Sequence, residues 1–199
     1  MIANMFGLLF RPKTQWQSIA EKDQFSFLPA FLYTAVLAAV PAYAWFVGTT
    51  QIGWTVADGD TIRMTADSAS VIIGLFYFTM VASVCVIGYM IHWMSETYGT
   101  DSSTAKGIAV AGFSATPLFI AGAVGFVPVF WAALLIGVSA VSYAVYLLYL
   151  GIPIVMGIPQ ERGFLFSSAV IAFCLVILIG IMGGTVIMWD MGAAPSFTD

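Results

Sequence analysis

An all-α, polytopic membrane protein is what this sequence predicts, with five transmembrane helices, short loops and an N-terminal interfacial amphipathic segment. Three observations carry that expectation. Of 199 residues, 61% are hydrophobic and only 8% charged, and the mean hydropathy of +0.99 leaves too few charges to coat a water-facing surface. The apolar residues fall in runs near the roughly 20 residues that cross a hydrocarbon core. The six basic residues are shared unevenly among the connections between those runs, and that bias sets direction.

Residues Met1 to Gln24 combine apolar Met5, Phe6, Leu8, Leu9, Phe10, Trp16 and Ile19 with Arg11, Lys13 and Lys22. Trp16 and Ile19 share a helical face and Pro12 divides the stretch, so two short amphipathic pieces are expected along the bilayer surface, a plain basic flank being the alternative. The apolar start has no basic residue before it and no small-x-small site after it. No cleaved signal is expected, and the mature chain is expected to begin at Met1.

The first span is placed at 27–47, with Pro29 in its opening turn and Trp45 near its far end. Gly48 to Ala69 turns polar with Gly53, Asp58, Gly59, Asp60, Arg63 and Asp67, a sizeable extramembrane loop. Trp54 is expected to dip back to the interface. The second span, 70–94, holds His92 at its exit, and a polar turn runs on to Lys106. Gly107 to Pro159 carries no Asp, Glu, Lys or Arg, too long a run for one span and ample for two. The strongest break inside it is GFVP, Gly125 to Pro128, so a tight hairpin there divides spans 105–124 and 128–150. A last span at 164–189 precedes a polar tail. All of 1–199 is one membrane domain.

With the N-terminus cytoplasmic, Arg11, Lys13, Lys22, Lys106 and Arg162 lie inside and Arg63 alone outside, as positive-inside bias requires. Trp45, Trp54, Trp131 and Trp189 then fall near the outer interface, Trp16 and Trp93 near the inner one. The C-terminus is expected on the outer side of the membrane. Ala38/Ala42, Ala121/Gly125 and Gly180/Gly184 have the small-xxx-small spacing that lets helices approach in lipid, where packing replaces the hydrophobic effect. Pro41 and Pro117 lie within spans and should kink them, the freed carbonyls being met by neighbouring helices or by Ser114 and Thr116.

Chemistry is sparse. His92 and Glu96 are four apart, a spacing that can hold a metal or pass a proton, but this is the one histidine in the chain and two ligands make no site. The plainer reading is an interfacial histidine paired with a nearby carboxylate. Cys85 and Cys174 sit deep in apolar runs and give neither a metal signature nor a disulfide framework. The spans hold no acid or base, which disfavours a proton-coupled pump. Ser83, Ser114, Thr116, Ser139, Ser142, Ser167 and Ser168 could line a route, although such hydroxyls more often bond back to their own helix. Tyr143, Tyr146 and Tyr149 drift around one side of the fourth helix, an aromatic belt before a recognition surface. No basic patch for nucleic acid, phosphate loop or nucleophile with a base is present. An enzyme is not expected, nor a cofactor or metal.

Five spans, RPKTQWQSI near the N-terminus, SATP in the third span, a turn ending in Pro128, and YLLYLGIPIVMGIP after the fourth span together resemble the Yip (Ypt-interacting protein) family, specifically its small bacterial inner-membrane members. The stretch Tyr146 to Pro159 is the most specific portion. The resemblance implies a non-enzymatic membrane protein that works as an oligomer or with another membrane protein. Its eukaryotic relatives bind Rab-type GTPases in vesicle traffic and membrane shaping. Their long cytoplasmic N-terminal region has no counterpart here, which leaves GTPase binding doubtful. The structural motif is Gly151, Pro153, Met156 and Pro159. Gly151 and Pro153 are expected to end the fourth helix, and Pro159 to route the chain into the fifth, so Pro153→Leu should lengthen the fourth helix. His92, Glu96, Tyr146, Tyr149 and Arg162 form the candidate cytoplasmic partner surface.

Two functions remain open on this reading: a scaffold that organises lipid or partner proteins, and a carrier or channel for a lipid, small neutral solute or ion. A cavity between helices would favour the second, tight packing throughout the first.

Overall fold

The computed structural model describes residues 2–55, 61–127 and 129–198. Asp58, Gly59, Asp60 and Pro128, which entered the loop and hairpin expectations, lie outside them. Two short helices come first, α1 (Ile2–Phe10) and α2 (Pro12–Lys22), divided at Arg11 because Pro12 suits a first helical turn and not a helix interior. The chain leaves α2 through Asp23, whose φ of 39° is the one positive value at a non-glycine among the described residues.

Next comes α3 (Phe27–Val47), matching the first expected span, with Pro41 buried inside it. A π-helical turn, Gly48–Ile52, leads to β1 (Trp54–Thr55) and β2 (Thr61–Met64). Thr65 accepts from the Ser68 amide at 3.4 Å and so starts α4 (Ala66–Ser95), earlier than expected. A 3-10 turn, Glu96–Tyr98, ends at Gly99 with φ 75°. Ser103 then caps α5 (Thr104–Ser114) through the Lys106 amide at 3.1 Å.

Pro117 does its expected work. It stands in the first turn of α6 (Thr116–Ala121), which with its 3-10 extension to Phe126 is bent from α5 by 41°. The Thr116 hydroxyl donates to the Gly112 carbonyl at 3.3 Å and bonds with the Tyr33 hydroxyl at 2.7 Å. Ser114, the other expected helper, keeps a buried hydroxyl with no partner among the described residues. The last long helices are α7 (Phe130–Met156) and α8 (Gln160–Met188), and β3 (Phe197–Thr198) closes a small antiparallel sheet in the order β1-β2-β3.

Four helical stretches, Phe27–Ile52, Ala66–Tyr98, Phe130–Met156 and Gln160–Gly192, are long and apolar enough to cross a membrane, and the bent pair α5–α6 passes the same test jointly. The helices are tight at one pole and loose at the other. At the pole holding α1 and α2, Leu8, Trp16, Ile91, Ile108, Leu147, Ile152, Phe166 and Val170 are almost wholly buried. Toward the pole with the sheet, α7 and α8 present Leu135, Val138, Val176 and Ile179 outward, and a Cβ at Gly137, Gly180 or Gly184 would meet none of the described residues within 4 Å.

Close approach occurs where glycines face backbone. A Cβ on Gly107 of α5 would fall on the Gly88 carbonyl oxygen of α4, and one on Gly88 would lie 2.5 Å from the Ile108 Cα. Gly125 packs on the end of α3, where its Cβ would lie 2.8 Å from the Trp45 amide nitrogen. Thus Ala121/Gly125 marks a real contact through Gly125, and Ala38 and Ala42 are buried, while a Cβ at Gly180 or Gly184 meets nothing within 4 Å among the described residues.

Two expectations need correction. Helix α7 does not end at Gly151 and Pro153: it runs through both to Met156 and stops at Gly157, whose φ of 65° turns its amide and that of Ile158 back to the Pro153 carbonyl. Proline lacks a donor but keeps its carbonyl, so it can serve a helix end from inside the last turn. Trp16 is no belt residue either. It is fully buried within the protein, whereas Trp93 is exposed.

Candidate functional site

The two sequence stretches that looked most distinctive meet at the tight pole. Helix α2 carries Trp16 and Ile19 on one face, and that face lies on α7 where the side chain of residue 151 is missing. A Cβ on Gly151 would sit 2.7 Å from both Cε2 and Cζ2 of the Trp16 ring. The indole also stands edge-on to Phe113 of α5, centroids 6.1 Å apart, and Phe113 meets Tyr33 of α3 at 4.8 Å. The Trp16 indole nitrogen is buried without a partner among the described residues.

Helix α1 is tied in separately. The Tyr143 hydroxyl reaches the Leu8 and Leu9 carbonyls at 3.0 and 2.9 Å, filling acceptors that a helix C-terminus leaves open. The tyrosine series therefore divides. Tyr143 holds α1 and touches the Tyr146 ring at 5.7 Å, Tyr146 is exposed, and Tyr149 turns to α8, stacking on Phe164 at 5.3 Å and bonding Ser168 at 2.9 Å.

The motif residues hold α7 to its neighbours. Pro153 fills the space over Gly163 of α8, where a Cβ would lie 2.5 Å from the proline Cβ. The Met156 carbonyl accepts from the Thr100 hydroxyl at 2.9 Å, which fastens the turn after α4, and Pro159 precedes the first residue of α8.

His92 does not pair with Glu96. Its Nδ1 meets the Ser102 carbonyl, so that nitrogen carries the proton and donates. Glu96 is exposed in the 3-10 turn, and Arg162 lies against Gly99, its Nη1 2.8 Å from where a Cβ would be. The candidate surface thus separates into three places: His92 in an open polar hollow with Asp23, Asp101, Ser102 and Lys106, Glu96 with Arg162 around Gly99, and Tyr149 with Pro153 beside the first turn of α8. Lys106 is largely buried over Phe25 and pairs with the exposed Asp23 at 3.4 Å.

Among the described residues no three His, Cys, Asp or Glu side chains gather as a metal group. The span hydroxyls mostly serve their own helices: Ser139, Ser142 and Ser168 donate to Leu135, Val138 and Phe164 at 2.8 to 2.9 Å. A more apolar opening, about 500 Å³, lies at the loose pole between α3, α4 and α8.

A family model described as the Yip1 domain matches residues 6–181. The chain belongs to the Yip1 family. This Yip1-family chain is 36% identical over 191 residues to the inner membrane protein YohC of Escherichia coli strain K12, covering 96% of its own length and 98% of the relative. The same identity and coverage hold for YohC of Escherichia coli O6:H1. No solved structure gives a significant match. The matched region contains Trp16, Gly151 and Pro159 but ends before the last turns of α8 and before β3. Its apolar helices, with inner membrane proteins as relatives, make this Yip1-family chain a multi-pass inner-membrane protein.

Sequence reasoning passed over Gly88, Gly107, Tyr33 and Thr100. The two glycines stand one on each helix, so no spacing within either helix marks them. Their signal was present only as glycine inside an apolar run, which suggests close approach without naming the partner.

Proposed function

We propose that this Yip1-family chain is a non-enzymatic five-span protein of the bacterial inner membrane that organises membrane or partner proteins through its tight pole. The observation that carries the reading is the seat of Trp16 on Gly151, which fixes the basic N-terminal helices and the α7 motif as one rigid face. The lipid bilayer is one partner, and a second copy or another membrane protein is the other. The five-span count is supported by α5–α6, which starts beside His92 and Asp23 at the tight pole and ends against Gly48 and Trp45 at the loose one. Basic Arg11, Lys13, Lys22, Lys106 and Arg162 belong to elements that start or lie at the tight pole, and Arg63 to the sheet, so the N-terminus is cytoplasmic and the C-terminus periplasmic. GTPase binding does not belong to the proposal.

Photo-crosslinking from Tyr146 and Arg162 tests it, with Val138 on the loose half as control. Adducts specific to the first two positions are expected. Unchanged liposome shape, lipid distribution and co-purifying proteins on reconstitution would sink the organising role. A second reading, a carrier or channel, is favoured by the cavity at the loose pole. Flux or lipid scrambling no faster than in empty vesicles would remove it.

A further inference from the structure

We infer that the cavity at the loose pole is a binding slot for one acyl chain of a zwitterionic phospholipid from the leaflet on that side. It encloses about 500 Å³ between Trp45 of α3, Met64 of β2, Phe76 and Thr79 of α4, and Ile181 and Trp189 at the end of α8. Its walls offer little to a polar solute. Thr49 and Thr185, which also line it, spend their hydroxyls on the Trp45 and Ile181 carbonyls at 2.8 and 2.9 Å.

The shape runs along the helices. From Ile72 to Thr79 and from Ile181 to Trp189 the walls extend about 10 to 12 Å at 1.5 Å per residue, so an occupant lies parallel to the spans, as a lipid chain does. The slot is continuous with the outer apolar surface, because Phe76 and Ile181 of its walls are also exposed, 41% and 37%. A bilayer can therefore fill it sideways without passing a polar group through hydrocarbon. At its polar end Met64 sits in the sheet, where Trp54 meets Phe197 at 5.9 Å. Arg63, the strand neighbour of Met64, is exposed on the other face of β2 with its Nε donating to the Ile52 carbonyl at 3.4 Å, and exposed Asp67 and Asp190 stand in the first turn of α4 and just after α8, so both signs of charge lie at the level of the sheet. A headgroup bearing one phosphate and one ammonium finds a counterpart for each; an anionic headgroup meets more acid than base. The slot stands whichever reading of the function holds.

The test uses the full chain in phosphatidylethanolamine and phosphatidylglycerol vesicles, with a tracer of either lipid bearing a diazirine on one acyl chain. After illumination, labelled peptides are mapped. Labelling several-fold higher on Ile72–Thr79 and Ile181–Trp189 than around Val138, and stronger with the phosphatidylethanolamine tracer, is expected. Thr79→Phe should fill the slot and reduce the excess several-fold. Thr185→Phe, at an exposed position that tolerates bulk, does the same if the first variant folds poorly. Label spread evenly over the exposed helices, or an excess unchanged by Thr185→Phe, means boundary lipid only and overturns the slot. Stronger labelling by the phosphatidylglycerol tracer overturns the headgroup assignment.

Discussion

The Trp16 ring rests on the bare backbone of Gly151, so closely that a single methyl at 151 would stand 2.7 Å from two ring carbons. This contact joins an N-terminal helix to one that starts more than a hundred residues later, and it sets a conflict of sign. Alanine is favoured over glycine in a helix by about 1 kcal/mol, yet here the added methyl must displace a fully buried ring. Overpacking costs about 1 to 3 kcal/mol.

Gly151→Ala is therefore expected to lower the melting temperature in detergent, and to cost clearly less in a Trp16→Ala background, since contacting residues are not additive. Equal effects in both backgrounds would show that the ring is not what opposes the methyl.

The end of α7 gives a second prediction, opposite to the one the sequence suggested. Gly157 has φ 65°, and an added methyl there would meet nothing within 4 Å, so Gly157→Ala is opposed by backbone strain alone, about 1 to 2 kcal/mol. Faster amide exchange at Ile158, whose N–H bonds the Pro153 carbonyl at 3.1 Å, is the local readout. Pro153→Leu should leave the helix end where it is and act instead through Gly163, by crowding. Exchange at Ile158 as slow as in the parent after Gly157→Ala would refute the assignment of the stop.

What was legible in the sequence follows from what composition controls. Long apolar runs placed α3, and α4 and α8 to within about four residues, because chain length across hydrocarbon is set by geometry, while α7 overran its expected end by six. The bend near Pro117 was legible because a missing donor acts locally. Trp16 was misplaced because an aromatic beside basic residues fits both an interface and a core, and only Gly151 distinguishes them. The same limit applied to the candidate surface: His92 and Glu96 share a helical spacing, but the Ser102 carbonyl, ten residues on, accepts the hydrogen bond from the His92 Nδ1–H.

Tyr143 supports a third prediction. Its hydroxyl serves the Leu8 and Leu9 carbonyls at the end of α1, and Tyr143→Phe should cost about 1 kcal/mol by leaving them open. The loss should be local. Proteolysis within α1 is expected to accelerate while the melting of the remaining helices changes little. Equal loosening of α1 and α8 would mean that Tyr143 supports the bundle as a whole.

The glycines of α4 and α5 give the sharpest contrast with those of α8. At Gly107 the obstacle is the Gly88 carbonyl oxygen, and backbone cannot rotate away as a side chain can. Gly107→Ala must therefore push α4 and α5 apart along their shared length, opening contacts around Ile91, Ile108 and Val84 that are nearly buried. A cost above about 3 kcal/mol is expected, at the upper end for overpacking, seen as loss of a monodisperse peak after solubilisation. Gly184→Ala adds the same methyl to a helix where none of the described residues lies within 4 Å, and should cost nothing, gaining up to about 1 kcal/mol from alanine's helix preference. Comparable losses from both substitutions would place a neighbour, protein or lipid, against α8 in the folded assembly, and would move the explanation from packing within one chain to packing between chains.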